Sequence, residues 1–125
     1  MNRAVMGLLG FLGLLFIITG APKIIGIEYF AKAFDDFGYP QWLRGLAGWM
    51  EFAGGAFMIG GIWFPLAAPL GGLIIFPSMI GATWTNYTQV NNTNGTIVLG
   101  LTLIVLLSIY LTASPAMEAL GLPTP

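Results

Sequence analysis

The sequence predicts an all-α fold: a four-helix transmembrane bundle with a short amphipathic helix between the first and second spans. Three observations point to it. Of 125 residues, 57% are hydrophobic and only 7% are charged, where a soluble domain carries about 25% charged residues. Four Lys/Arg and five Asp/Glu are too few to solvate the apolar surface of a soluble chain, which makes the bilayer its solvent. Four apolar runs, at about 4–21, 42–63, 66–84 and 96–112, are each long enough to cross a hydrocarbon core about 30 Å thick as helices. The breaks between them differ: one is charged, one a tight reversal, one neutral and polar. A single membrane domain over 1–125 accounts for the whole chain.

The first run, Ala4 to Ala21, is uncharged. It exceeds the roughly 7–15 residues of a signal-peptide core, and Pro22 follows it directly, so a retained span is expected. Gly7, Gly10, Gly13 and Gly20 lighten it for close helix packing. Pro22-Lys23 is expected to end it.

Ile24 to Gln41 holds Glu28, Lys32, Asp35 and Asp36. Ile27, Phe30, Ala31, Phe34 and Phe37 recur at helical spacing within it. That pattern predicts an amphipathic helix lying on the membrane surface or capping the bundle, either as a simple connection between spans or, as the sharper alternative, as a lid over a site near Lys23 and Glu51. Gly38-Tyr39-Pro40 stops it.

The second span runs from Trp42 to Trp63, with tryptophans placed for the interfacial aromatic belts. Pro65 permits a sharp reversal into the third span, which contains Pro69, Gly71, Gly72 and Pro77. Thr85 to Gly95 is neutral and polar and reads as a hydrated loop, with Asn-x-Thr sequons at Asn86, Asn91 and Asn94. Asn94 or Thr96 is expected to cap the fourth span. There, Thr102 and Ser108 can bond back to their own helix. Ser114-Pro115 is expected to end it, leaving a tail poorly ordered beyond Leu120.

Both termini then share one side of the membrane. The Lys/Arg distribution puts loop 1 in the cytoplasm, whereas glycosylated sequons would put that side outside. The orientation stays open.

Glu51 is the exceptional residue, a carboxylate near the middle of the second span. Its helical face carries Arg44, Ala47, Gly48, Gly54, Gly55 and Met58. A carboxylate in lipid costs several kcal/mol unless it is neutral or paired, so Glu51 should face protein. Lys23, whose long stem can reach inward, is the expected partner, and Arg44 the alternative. The pair is either a lock for the bundle or a binding site. Arg44, Trp49, Trp84 and Asn86 are secondary candidates.

Composition also excludes chemistry. The chain has no cysteine and no histidine, so disulfides, thiolate metal sites, ordinary haem ligation and imidazole acid–base catalysis are absent. A formal net charge of −1 leaves no basic patch for nucleic acid. No metal and no cofactor held by the chain's own ligands are expected.

Gly20-Ala21-Pro22-Lys23, Gly38-Tyr39-Pro40, Gly48-x-x-Glu51-x-x-Gly54-Gly55 and Met79-x-x-Ala82, in that order and spacing, resemble the DoxX-like family of small four-helix membrane proteins. The resemblance covers roughly residues 5–112. It implies a bundle with a Lys–Glu pair, here Lys23 and Glu51, in a prokaryotic cell membrane. Family members resemble membrane subunits or companions of redox enzymes, including a thiosulfate:quinone oxidoreductase, and a distant branch resembles receptor-assembly chaperones. Many relatives carry a histidine soon after the third-helix motif. Here Trp84 and Asn86 occupy that neighbourhood.

The resemblance makes a non-catalytic anchor or accessory subunit of a redox, quinone-linked enzyme the leading expectation. Two alternatives stay open: an ion or small-molecule pathway through Glu51 in a homo-oligomer, and an enzyme acting on a lipid or quinone.

Overall fold

The computed structural model describes residues 2–123, most of which are helical. In order they are α1 (Arg3–Ile25), α2 (Glu28–Asp36), α3 (Gln41–Gly60), α4 (Ala67–Gln89) and α5 (Asn92–Ala119). α1 packs on α3, α3 on α4 and α4 on α5, while α5 touches α1 more lightly. The short amphipathic helix is present as α2, at the end of the bundle where α1 stops and α3 starts.

α1, α4 and α5 are long and apolar enough to cross a membrane. α3 has 20 residues, about 30 Å of helix, but Arg44, Glu51 and its glycines dilute its apolar character. Length and composition therefore mark three spans where four are expected.

The core is built from the inward faces of four helices. Leu9, Leu12 and Phe16 of α1 meet Met58 of α3, Ile75 and Met79 of α4 and Val105 of α5, all buried. Backbone contact between glycines brings the helices together. A Cβ on Gly48 would lie 2.9 Å from the Gly20 carbonyl oxygen, and one on Gly55 would lie 2.5 Å from that of Gly13. One on Gly71 would lie 2.5 Å from the carbonyl oxygen of Gly54. Small residues at such crossings let dispersion act between backbones in lipid, where apolar burial gives little drive. Only Gly13 and Gly20 of the α1 glycines named above serve this contact; Gly7 and Gly10 face open space.

Several helix boundaries differ from expectation. Pro22-Lys23 does not end α1, which continues to Ile25 and stops at Gly26, where φ is +84°. Proline removes one donor, and the N–H groups of Gly26 and Ile27 still reach the Pro22 carbonyl at 3.0 and 3.3 Å. A left-handed glycine is the true stop signal. Likewise α5 runs through Pro115 to Ala119. Residues 121 and 122 are tied back to it by bonds from Gly121 to Glu118 and from Leu122 to Met117. Of the expected disordered tail, Thr124 and Pro125 lie outside the described residues.

The stretch from Thr85 to Gly95 is mostly helical and not a loop. Thr85, Asn86 and Thr88 each donate to the carbonyl four residues back, at 2.8 Å, which satisfies their polar groups on α4. Only Val90 and Asn91 separate the helices. Asn91, rather than Asn94 or Thr96, caps α5 by accepting from the Asn94 N–H at 2.7 Å. Thr102 and Ser108 do bond back to Val98 and Val105 of their own helix.

Candidate functional site

The close contact of α1 and α3 sets the site. Gly20 and Gly48 face each other, and Lys23 and Glu51 each stand three residues further on. Lys23 lies in the last turn of α1, not beyond it. Its ammonium donates to both carboxylate oxygens of Glu51, at 2.8 and 2.9 Å. The Glu51 side chain is 4% exposed and that of Lys23 is 17% exposed, so the carboxylate is sealed while the lysine is only partly covered. Thr19 Oγ1 stands 3.5 Å from Glu51 Oε2. The Phe30 ring of α2 covers the ammonium, with its centroid 5.4 Å from Nζ. Carboxylate and aromatic face both favour the cation.

Arg44 does not share Glu51. Its guanidinium donates to the Lys23 carbonyl and to Gln41 Oε1, which caps the C-terminus of α1 with a cation, where the helix dipole favours one. Arg44 thus fixes the backbone from which Lys23 projects.

Above the pair lies a cavity of about 780 Å³, between α3 and α4 and roofed by α2. Phe30, Phe34 and Phe37 line its roof, Met50 and Pro77 its walls. The helical spacing of those phenylalanines therefore aims one face of α2 at a space, while Glu28, Lys32, Asp35 and Asp36 stay exposed on the other. The roof is tied at its far end. Tyr39 Oη and Thr85 Oγ1 lie 2.8 Å apart, and Gln89 Nε2 donates to the Phe37 carbonyl at 3.2 Å.

Of the candidates, Lys23, Glu51, Trp84 and Asn86 all line this cavity. Trp84 is largely exposed, and the Asn86 amide donates to the Ala82 carbonyl at 2.8 Å. Arg44 and Trp49 do not line it. Trp49 is 57% exposed on the outer surface, its ring against Phe52. Tyr39 and Thr85 join the site without a sequence signal of their own. Tyr39 stood in plain view within Gly38-Tyr39-Pro40, but that motif signals a turn and not a bond to a distant helix.

A family model described as the DoxX-like family matches residues 7–110. The chain belongs to the DoxX-like family. This DoxX-like protein is accordingly a membrane protein, and the match spans the helix pair that carries Lys23 and Glu51 and the cavity beside it. No curated protein and no solved structure gives a significant match to it.

Proposed function

We propose that this DoxX-like protein is a non-catalytic accessory subunit of a prokaryotic cell membrane, holding a small apolar molecule, a quinone or a lipid, beside a redox enzyme. The observation that carries the reading is the 780 Å³ cavity, a volume within the range of small-molecule sites, about 300–1,000 Å³. Its walls are mostly aromatic and aliphatic, with the polar side chains of Ser78, Thr85 and Asn86 among them, and one ion pair sits at its base. That combination suits the apolar body and polar end of a quinone or lipid. The chain offers no thiol and no imidazole, which favours redox-active groups supplied by the bound molecule and the partner.

In this reading α3 is the fourth crossing. Trp42 and Trp63, 68% and 69% exposed, flank it as interfacial anchors. A pore through Glu51 has less support, because Lys23 closes the carboxylate and Leu12, Phe16, Met58 and Ile75 are packed in the interior.

The test is purification from its own membrane in mild detergent, followed by protein identification and analysis of the organic extract. A redox-enzyme partner with a stoichiometric quinone or lipid is expected. A preparation with neither would overturn the proposal.

A further inference from the structure

The walls of the cavity also specify the charge of what it holds. Among the described residues, two charged side chains line it, Lys23 and Glu51, and they neutralise each other. The other charges of α2 point outward, and Arg44 is engaged at the end of α1. An anionic occupant would have to compete with Glu51 for the one cation. A cationic occupant would have to compete with Lys23 for the one carboxylate. Displacing Glu51 leaves a sealed carboxylate without its partner, and displacing Lys23 leaves a largely buried lysine without one, both of which are strongly unfavourable.

A neutral oxygen acceptor meets no such penalty. An ammonium has three protons. Two are used by Glu51 Oε1 and Oε2, and Nζ has no further hydrogen-bond acceptor among the described residues. Lys23 lines the cavity together with Phe30, whose ring centroid lies 5.4 Å from the ammonium. Phe30, Phe34, Phe37 and Trp84 offer ring faces and edges for a flat apolar body.

We infer that the site selects by charge: it takes an uncharged, ring-bearing molecule whose carbonyl oxygen accepts the remaining Lys23 proton, and rejects carboxylates and amines of the same shape. This rests on the cavity being a binding site, as proposed above. It separates the two occupants named there, favouring a neutral ring compound over a lipid with a charged headgroup.

The test uses three naphthalene compounds of matched size: acetylnaphthalene, naphthoate and naphthylmethylammonium. Binding to the full chain in lipid nanodiscs is measured at neutral pH by equilibrium dialysis, with partition into empty nanodiscs subtracted. Ala82 lines the cavity from α4, and Ala82→Phe fills it for comparison. The ketone is expected to bind at least about tenfold more tightly than either ion, a difference of about 1.4 kcal/mol, and to lose that binding in Ala82→Phe. Equal or tighter saturable binding of naphthoate or naphthylmethylammonium would overturn the charge selection while leaving a binding cavity in place. If none of the three binds above the Ala82→Phe level, the cavity reading falls together with the selection.

Discussion

Lys23 and Glu51 were legible as partners because a chain with so few charges leaves a mid-span carboxylate little choice. Their bond at 2.8 and 2.9 Å leads to a definite mutational pattern. Removing one side of a buried pair costs about 3–5 kcal/mol, because the survivor keeps its desolvation penalty. Lys23→Met and Glu51→Gln should each lower the thermal stability of the detergent-solubilised protein. The double variant should recover part of the loss, and additive losses would show that the residues do not share a site. Arg44 was less legible. Its position two turns from Glu51 made it a second partner on paper, but its guanidinium is committed to the backbone end of α1.

The glycines divide just as sharply. A Cβ on Gly48 would lie 2.8 Å from Lys23 Cβ and 2.9 Å from the Gly20 carbonyl oxygen, whereas one on Gly45 meets nothing within 4 Å. Gly48→Ala should therefore destabilise the bundle by about 1–3 kcal/mol through overpacking. Gly45→Ala should be neutral or stabilise it by up to about 1 kcal/mol through helix propensity. Thermal unfolding of the two variants side by side checks this. Similar losses in both would show that α1 and α3 do not meet at Gly48.

Among the elements, α2 decides whether the cavity has a roof. It is joined through Gly26 and Gly38, at φ +84° and +79°, a conformation that glycine adopts without the strain of a side chain. Phe34 lines the cavity and Asp35 is exposed. With a water-soluble maleimide, Asp35→Cys should label several-fold faster than Phe34→Cys. Equal rates would mean that α2 is not docked by its aromatic face.

The phenylalanine spacing showed that α2 has an apolar face, and a cover over Lys23 and Glu51 was one of the roles it allowed. The volume beneath it is a matter of where α2 comes to rest, which periodicity does not encode. Prolines and polar runs misled for related reasons. Pro22 and Pro115 each remove a single donor, and in lipid the rest of a helix has no competing partner for its backbone. Thr85, Asn86 and Thr88 look like a loop by composition, yet their side chains find acceptors on their own helix.

At the scale of the molecule, the alternation of α1, α3, α4 and α5 places the start of α1 and the end of α5 at the same end of the bundle. If α3 crosses as proposed, epitope tags at the two termini should show the same accessibility in sealed vesicles. Opposite accessibility would reduce the crossings to an odd number. The overall class was legible in composition alone. The status of α3 was not, because the residues that make it the centre of the protein, Glu51 and its glycines, are the ones that weaken its apolar signal.

If the space between the Lys23–Glu51 pair and α2 binds a small neutral molecule, native mass spectrometry of the protein released from its own membrane should detect it, with Ala82→Phe as the comparison. One small-molecule adduct per chain is expected on the unmodified protein and none on Ala82→Phe. A bare chain in both spectra, or an adduct retained when the cavity is filled, would contradict it.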